Sequence, residues 1–597
     1  MKENISTATL RNWHKLNIDD TSEKLSKRAN KSRSQKIILP STYLFIDNNI
    51  DRYIDYLLSL SHTIEDIVYS LCIYRLSLFE MTDKKHVKEF LLEYKHLEYI
   101  SEIENKDILS LEKDVLGYIY QAITPEGERN KSGKYYTLDN IVASMTEDLN
   151  MTKDKFYLDP CCGSGAFLTG IHNVNPNYLY GIDIDPLAVM IAKTNLLIRY
   201  RDFIFTPHIF CFDFLKGNTL DTPQKQRDVL SMRFDYIYTN PPWGCDRLGI
   251  YISQNISSKE RASLFLEKSY NLLKPGGILK FLLPSSILNI TTHNDIRQFI
   301  CENTTIKEIQ FYNNKFSGVY TDFFDIKLEK CKPLLTQNYT VNKDNLRYNV
   351  SFRLEKNKKN TSIPIIAPYE SAILSKINQQ KNDDLSHSIW GLGIVTGDNK
   401  KKLHKEPAPQ LEVIYTGKDI MPYVLKQGEN YILYDRTQLQ QCAKDDLYRA
   451  PQKLVYKFIS KKLIFAYDAQ GRLFLNSANI LIPSVDSLSI KSVMAFLNSE
   501  LYQFTYQVQF NDIKILKGNL MKLSFPKLSI EEDSFLNERV DDVLSGNLSR
   551  IKDIDNFIYN LFNISQEEQT YIKNYLYGKA NKGIKKTHSS ITSKYSK

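Results

Sequence analysis

The sequence predicts an α/β protein whose central region is a doubly wound, Rossmann-like sheet. Four short apolar runs read as buried strands. One of them leads into a glycine-bearing loop at 159–168 that is followed by a helical pattern. Polar residues follow the strands at their carboxyl ends, where open parallel sheets bind ligands. We expect a helical region before this sheet and an α+β region after it.

The bulk properties indicate a globular protein of several domains. The chain has 597 residues, of which 42% are hydrophobic and 25% charged, and single cores stop growing near roughly 300 residues. The net charge of +9 is mild for this length, so the positions of the basic residues matter more than their number. Eight cysteines without a CxxC pair favour reduced thiols. With no signal-peptide or membrane-span pattern, we expect a cytoplasmic protein.

The N-terminal third has two parts. Residues 1–40 are basic and contain Leu10, Trp13 and Leu16 at three-residue spacing, which predicts one amphipathic helix. This stretch resembles the recognition helix of helix-turn-helix modules, and an ordinary packing helix fits it equally well. Residues 41–116 have helical patterns throughout, which predicts a packing domain with no chemistry of its own.

The glycine loop opens the region that carries the chemistry, residues 117–335. Gly163 and Gly165 let the backbone approach a ligand closely. The loop lacks the Lys-Ser/Thr pair of a phosphate-binding P-loop. Asp183 follows about twenty residues later at the end of a second strand, where a carboxylate accepts hydrogen bonds from a ribose diol.

The tetrapeptide Asn240-Pro241-Pro242-Trp243 follows the apolar strand at 234–238. Its amide lies at the carboxyl end of a strand, its prolines stiffen the backbone and its indole offers a flat face. These features suit a clamp that presents a planar amine to an electrophile. A Pro-Pro turn after a strand is the alternative for the tetrapeptide by itself.

Together the motifs resemble the N6-adenine-specific DNA methyltransferases of the gamma class, over roughly residues 117–330. Their order is Tyr-Tyr-Thr at 135–137, Asp-Pro-x-x-Gly-x-Gly at 159–165 and Asn-Pro-Pro-aromatic at 240–243. The resemblance implies the class I S-adenosylmethionine-dependent methyltransferase fold, S-adenosylmethionine as cofactor, double-stranded DNA as substrate and no metal. It also implies the modification enzyme of a bacterial type II restriction-modification system. A separate restriction endonuclease would cut the DNA, because we find no nuclease motif.

The resemblance assigns roles to individual residues. It implies a catalytic clamp of Asn240, Pro241, Pro242 and Trp243. It implies cofactor contacts from Tyr136, Thr137, Asp159, Cys161, Gly163, Asp183, Asp213 and Phe214. Within that set, Asp183 would bind the ribose, and Asp213 and Phe214 the adenine of the cofactor. Phe316 matches the aromatic residue that packs on the target base. Asp185 reads as a turn or helix cap and is not included.

The chemistry of the clamp leaves the identity of the target base open. An exocyclic amine is a poor nucleophile because the ring delocalises its lone pair. Acceptors at the Asn240 amide oxygen and the Pro241 carbonyl would hold its N–H groups and localise that pair. The base must leave the duplex first. N4-cytosine methylation uses the same logic, and an RNA or protein amide methyltransferase is a further alternative.

The C-terminal half carries a second resemblance. We predict a linker region that includes strands at 336–385, a target-recognition domain with C-terminal helices at 386–576 and a disordered basic tail at 577–597. Short motifs at 391–399, 415–420 and 451–455 resemble, in this order, the TaqI-like C-terminal specificity domain, which implies recognition of the DNA sequence. Basic clusters at 400–405, 453–462 and 514–517 are predicted to lie on phosphates.

Overall fold

The computed structural model describes residues 50–124, 137–149, 155–216, 223–244, 251–312, 322–333, 335–353, 361–510 and 514–578. These residues form two compact units that divide between Ile365 and Ile366, each with its own hydrophobic core. Several predicted features lie outside the described residues: the helix-turn-helix-like stretch, Tyr136, Phe316 and the tail beyond Gly578. None of the described helices has the length and apolar character needed to cross a membrane.

The N-terminal unit begins with the helical region that the sequence predicts. Each helix buries an apolar stripe; in the first, Ile50, Tyr53, Ile54 and Leu57 recur at helical spacing. Side chains of Thr63, Asn105 and Asp114 cap three of the others. The helices are α1 (Ile50–Ser59), α2 (Ile64–Leu78), α3 (Lys85–Leu92), α4 (Lys106–Leu109) and α5 (Val115–Ile123), with a 3-10 turn at Ser101–Ile103.

A nine-stranded sheet in the order β3-β2-β1-β4-β5-β7-β6-β8-β9 forms the centre of this unit. The first five strands are parallel, and β7 runs antiparallel to both of its neighbours. This is the class I methyltransferase fold that the sequence predicts. The strands are β1 (Tyr157–Asp159), β2 (Leu179–Asp183), β3 (His208–Cys211), β4 (Phe234–Thr239), β5 (Leu273–Pro284), β6 (Thr305–Phe311), β7 (Phe323–Glu329), β8 (Thr336–Lys343) and β9 (Leu346–Arg353).

Two hydrophobic clusters cover the two faces of the sheet. Tyr157 and Tyr238 contribute to one cluster, and their neighbours Leu158 and Ile237 contribute to the other, as the alternation of a strand requires. Both faces of the parallel strands are therefore buried under helices. These helices are α6 (Asp139–Thr146), α7 (Ala166–Gly170), α8 (Pro186–Arg199), α9 (Gln224–Ser231), α10 (Arg261–Leu272), α11 (Ser286–Asn289) and α12 (Asn294–Asn303).

Residues 336–385, predicted as strands and a linker, are divided between the two units. Its first part forms β8 and β9, and β8 pairs in parallel with β6. Its last part contains α13 (Pro368–Gln379), which packs in the core of the C-terminal unit through Ile373 and Ile377. Gln337, Tyr339 and Val341 are buried on one face of β8 while the intervening residues are more exposed. The Lys- and Asn-rich sequence concealed this alternation.

The C-terminal unit contains two four-stranded sheets, β10-β17-β14-β15 and β11-β13-β12-β16, and a group of helices. The strands are β10 (Ile389–Leu392), β11 (Leu403–His404), β12 (Glu412–Tyr415), β13 (Tyr431–Ile432), β14 (Lys453–Lys457), β15 (Phe465–Asp468), β16 (Leu473–Phe474) and β17 (Ala478–Ile482). The helices after α13 are α14 (Asn399–Lys402), α15 (Asp445–Tyr448), α16 (Ile490–Asn498), α17 (Glu500–Phe510), α18 (Lys517–Leu520), α19 (Ile530–Leu544), α20 (Arg550–Leu561) and α21 (Gln566–Tyr577). This is the α+β architecture that the sequence predicts.

Candidate active site

The strand order of the N-terminal unit reverses at β1, which lies between β2 and β4. Open α/β sheets bind ligands at such a switch point, beyond the carboxyl ends of the strands. The glycine loop follows β1 and the Asn-Pro-Pro-Trp clamp follows β4. The two motifs that the sequence singles out therefore lie next to each other at the switch point, where a ligand-binding crevice is expected.

The glycine loop is held against the end of β2. Gly163 and Gly165 both have positive φ, 51° and 86°, which favours glycine at each position. A Cβ on Gly165 would also lie 3.2 Å from the side chain of Leu196. The Gly163 N–H donates a 2.8 Å hydrogen bond to Asp183 Oδ2. The loop and the acidic strand end therefore form one rigid edge.

Asp159 is fully buried at the end of β1 and has one unpaired oxygen. Its Oδ1 accepts a 2.6 Å hydrogen bond from the Thr239 hydroxyl and a 3.2 Å bond from the Cys161 N–H. Its Oδ2 is buried and has no hydrogen-bond partner among the described residues. Burial raises the pKa of Asp159 to about 7, and the nearby Asp183 adds to the rise. A buried acceptor without a partner is costly, so this oxygen marks a place for a donor.

Thr239 joins the glycine loop to the clamp, a role that the sequence analysis missed. Its hydroxyl oxygen, which donates to Asp159, lies 2.9 Å from the Cys161 thiol. The same thiol lies 3.4 Å from the Asn240 carbonyl oxygen. The available signal was position alone: a threonine directly before the clamp, at the inward-facing end of a buried strand. Nothing in the sequence links it to Asp159, eighty positions earlier.

Asp183 and Asp185 have different tasks at the end of β2. Asp183 accepts main-chain N–H groups on both oxygens, from Gly163 on Oδ2 and from Asp185 on Oδ1 at 2.9 Å. Asp185 caps α8 by accepting the Leu187 N–H at 3.0 Å, which confirms the cap interpretation. Carboxylate oxygens accept more than one donor, so Asp183 keeps the capacity to bind a diol.

Two residues after β3, Asp213 and Phe214, are predicted to bind the adenine of the cofactor, and only the first of them is accessible to solvent. Asp213 is half-buried and accepts the Leu215 N–H at 3.0 Å. The Phe214 ring is 2% exposed and packs 5.2 Å from the Phe265 ring, centroid to centroid, in the core. Ile184, by contrast, is 59% exposed directly after Asp183. This exposed apolar residue beside the carboxylate that is predicted to bind the ribose is a second feature that the sequence analysis missed.

The clamp has its amide oriented and its indole anchored. Asn240 Nδ2 donates a 3.2 Å hydrogen bond to Thr137 Oγ1, so the amide oxygen points away from Thr137. The structure thus brings Thr137, predicted as a cofactor residue, into direct contact with the clamp. Pro241 is buried and Pro242 is half-buried.

Trp243 continues the clamp on the side of β5 and β7. Its Nε1 donates to the Leu282 carbonyl oxygen at 3.3 Å, and its ring centroid lies 6.1 Å from that of Phe323. The Tyr312 ring in turn stacks on the Phe323 ring, with 5.8 Å between the two centroids. The adjoining Gly244 N–H donates to the buried Glu260 at 3.0 Å. Both ends of the tetrapeptide are therefore fixed before any substrate arrives.

The basic clusters of the C-terminal unit divide into exposed and buried residues. Lys461, Lys462, Lys514 and Lys517 are exposed, and main-chain hydrogen bonding between Ile515 and Phe458 brings 457–462 and 514–517 together. Lys453, also predicted to lie on phosphates, is fully buried and pairs with Asp468. That prediction was wrong for Lys453, because its position on a central strand faces the core. Among the described residues, no cluster of His, Cys, Asp or Glu could hold a metal ion.

Two protein families match the chain. The Eco57I restriction-modification methylase family matches residues 177–317, and the TaqI-like C-terminal specificity domain matches residues 412–528. The first match contains the clamp, and the second contains β14 and β15 with the Lys453–Asp468 pair. The chain therefore contains a restriction-modification methylase domain followed by a specificity domain.

Individual relatives are methyltransferases and restriction-modification enzymes. The Type II methyltransferase M.VspI from Vibrio sp. (strain 343) is 29% identical over 317 residues, which cover 51% of this chain and 74% of the relative. The Type II restriction enzyme and methyltransferase RM.BcgI from Heyndrickxia coagulans is 26% identical over 241 residues, 37% of this chain and only 35% of its own length. The structure of the Type IIL restriction-modification enzyme MmeI in complex with DNA has the same fold, with a TM-score of 0.55 and 12% identity over 87% of this chain and 96% of that chain.

Proposed function

We propose that this chain, with its methylase and specificity domains, transfers a methyl group from S-adenosylmethionine to the N6 amine of adenine in double-stranded DNA. One observation carries the proposal: Thr239 and Cys161 connect the amine clamp at Asn240 to Oδ1 of Asp159, whose other oxygen, Oδ2, is buried and has no partner among the described residues. A site for a cationic ligand and a site for a planar amine therefore adjoin at the switch point of a methyltransferase fold.

The residues at the crevice fit S-adenosylmethionine. The ammonium of its methionine part is the donor that Asp159 Oδ2 lacks. The Asp183 carboxylate at the end of β2 would accept hydrogen bonds from the ribose hydroxyls, and the exposed Ile184 side chain would offer an apolar surface to the adenine ring. The cofactor supplies an electrophilic methyl group on its sulfonium. Phe214, buried on Phe265, would need to move to reach the adenine, so we assign the apolar contact to Ile184.

The clamp then prepares the amine for attack. The Asn240 amide oxygen and the Pro241 carbonyl each accept one N–H of the target amine, which localises the nitrogen lone pair as charge develops. Thr137 accepts a hydrogen bond from the Asn240 amide nitrogen, so the amide oxygen lies on the opposite side, where we place the target base. Trp243, anchored by the Leu282 carbonyl, offers stacking of about 1–3 kcal/mol per base against the cost of flipping.

The biological setting that we propose is protection of DNA from a separate endonuclease. The specificity domain and the exposed lysines of the C-terminal unit support binding to a defined DNA sequence. The match to M.VspI, named as a methyltransferase alone, supports a modification enzyme without its own nuclease. Cleavage of unmodified plasmid by the purified full-length protein with Mg²⁺ would overturn this part of the proposal.

The clamp variant Asn240→Ala tests the reaction directly. We expect transfer of the labelled methyl group from S-adenosylmethionine to duplex DNA to fall by at least about 10²–10³-fold, because the acceptor of the amine is lost. Calorimetry should show that the variant still binds S-adenosylmethionine, since Asp159 and Asp183 are unchanged. Wild-type turnover in Asn240→Ala would show that the tetrapeptide is not the catalytic clamp.

The target base is read from the product. The wild-type protein, expressed in a bacterial host without endogenous methylation, should leave N6-methyladenine at one sequence motif, detected by single-molecule sequencing. N4-methylcytosine at one motif would instead select the alternative that the clamp permits. A genome without modified bases, combined with methylation of RNA or protein in vitro, would overturn DNA as the substrate.

A further inference from the structure

We propose that α5 and its cap residue Asp114 hold the segments of the S-adenosylmethionine site in position through hydrogen bonds. This inference rests on the proposed function, and it assigns a role to a helix at the border of the region that the sequence predicts to be packing only. Three segments predicted to contact the cofactor each form a hydrogen bond with this one short helix or its cap. They are the glycine loop, the end of β2 and the segment around Thr137.

The first contact holds the glycine loop. The Ser164 hydroxyl, 1% exposed, donates a hydrogen bond to Asp114 Oδ2. Asp114 Oδ1 accepts from Asn195 Nδ2 at 2.7 Å and from the Gly117 N–H at 3.0 Å. The same Asn195 amide donates to the Ser164 carbonyl oxygen at 3.0 Å. The loop residue between Gly163 and Gly165 is therefore fixed through both its side chain and its main chain.

Gly117 shows how closely α5 approaches this contact. A Cβ at this position would lie 2.4 Å from Asp114 Oδ2 and 2.7 Å from Ser164 Oγ. A helix interior normally favours alanine over glycine. Here, however, the methyl group of an alanine would force the carboxylate and the hydroxyl apart. The glycine inside α5 is thus explained by the Asp114–Ser164 hydrogen bond, and not by the helix.

Two tyrosines of α5 make the other contacts. The Tyr120 hydroxyl donates to Asp185 Oδ2 at 2.7 Å, and the Asp185 N–H in turn donates to Asp183 Oδ1 at 2.9 Å. The Tyr118 hydroxyl donates to Asp139 Oδ1 at 2.7 Å, two residues after Thr137. Asp183, proposed to bind the ribose, is two positions from Asp185, and Thr137, which orients the clamp amide, is two positions from Asp139. The tyrosines of α5 therefore hold the chain close to both residues.

Arg75 on α2 fixes the chain that leads into this helix. It is 3% exposed and donates to the carbonyl oxygens of Leu109, Leu111 and Lys113, at 3.1, 2.8 and 2.9 Å. These carbonyls precede Asp114 directly. The cap carboxylate is therefore held in place by its neighbours on both sides before it contacts Ser164.

Three variants of the full-length protein test the proposal: Gly117→Ala, Ser164→Ala and Tyr120→Phe. We expect the dissociation constant and the KM for S-adenosylmethionine to rise roughly tenfold, as loss of one hydrogen bond to a charged group implies, while the KM for DNA stays within about twofold. Because Gly117→Ala and Ser164→Ala disturb the same contact, their effects should be clearly less than additive in the double variant. Tyr120→Phe, the smallest change, keeps the test valid if Gly117→Ala fails to fold.

Tyr53→Phe is the matched control. Tyr53 is a buried tyrosine of the same helical region, and its hydroxyl donates at 2.5 Å to the Ile103 carbonyl, with no bond to the three segments. We expect it to lower the melting temperature while leaving the cofactor constants unchanged. If the three variants behave like Tyr53→Phe, with wild-type cofactor affinity, the inference is wrong. If the wild-type protein itself binds no S-adenosylmethionine, the proposed function fails and the inference fails with it.

Discussion

Asp159 in the N-terminal unit and Asp468 in the C-terminal unit are both fully buried carboxylates, and their surroundings differ in one respect. Asp468 contacts two cations, Lys453 at 2.5 Å and Arg472 at 3.0 Å, and accepts the N–H groups of Gln470 and Arg472. Asp159 contacts a hydroxyl and one N–H group, and its second oxygen has no partner among the described residues.

The pKa of each group reflects this difference. Burial by itself would raise the pKa of Asp468, but the hydrogen bond and charge of Lys453 bring it below its ordinary value. Burial raises the pKa of Asp159 to about 7, because no cation opposes it. A buried carboxylate with its own cations serves the fold, whereas we propose that Asp159, which has none, receives the ammonium of S-adenosylmethionine.

The largest expected effect follows from removing the paired carboxylate. Asp468→Ala leaves Lys453 buried without its partner, which should destabilise the C-terminal unit by about 3–5 kcal/mol. Hydrogen exchange of peptides from β14 and β15 in increasing urea measures this change. S-adenosylmethionine affinity should stay at the wild-type value, and Asp446→Ala, at an exposed position of α15, should change neither quantity. A fall in cofactor affinity in Asp468→Ala would contradict the division of roles.

The matching change in the N-terminal unit should have the opposite pattern. Asp159→Asn keeps an oxygen for Thr239 but presents an N–H group where we place the ammonium of the cofactor. Binding of S-adenosylmethionine should weaken by about 1.5–3 kcal/mol, the range for hydrogen bonds to charged groups. The melting temperature without cofactor should not fall, because a neutral amide replaces a buried carboxylate that has one unpaired oxygen and no neighbouring cation. A large loss of stability with unchanged calorimetric affinity would show that Asp159 is structural.

The pH dependence of cofactor binding sharpens the same comparison. The ammonium prefers ionised Asp159, and the ionised fraction rises as pH increases through the pKa of about 7. Affinity for S-adenosylmethionine should therefore increase roughly tenfold from pH 6 to pH 8, with proton release on binding below pH 7. Calorimetry in buffers of different ionisation enthalpy measures both. The Asp159→Asn variant should show a flat profile, and an equal slope in both proteins would assign the titration elsewhere.

The smallest expected effects concern the exposed lysines, which contrast with buried Lys453. Lys461→Ala and Lys514→Ala should each reduce the salt dependence of DNA binding by about one unit of slope, as the loss of one phosphate contact implies. Lys491→Ala is the control, because Lys491 is already paired with Asp541 at 2.6 Å. Fluorescence anisotropy over a range of NaCl concentrations gives the slopes. If Lys461→Ala and Lys514→Ala have the same slope as the Lys491→Ala control, the DNA lies on another surface.

Much of the nine-stranded sheet was predictable from the sequence because its central strands are apolar and end in polar residues. The predicted strand at 234–238 corresponds to β4 (Phe234–Thr239), and the cap assigned to Asp185 is confirmed. The Lys- and Asn-rich composition of 336–385 let the sequence predict strands there without their bounds, and the alternation of buried residues in β8 is seen only in the structure. Lys453 was read as a surface charge because only the fold shows that Asp468, fifteen positions later, shares its core.

By itself, the sequence determined the fold class, the glycine loop, the acidic strand ends and the clamp, since each is a local pattern of a few residues. Only the tertiary structure decided which groups have partners. Thr239 reaches Asp159 across eighty positions, Ser164 reaches Asp114 across fifty, and Phe214 is turned into the core. Hydrogen bonding and burial depend on distance in space, and for these residues that distance is set by the packing of strands and helices far apart in the chain.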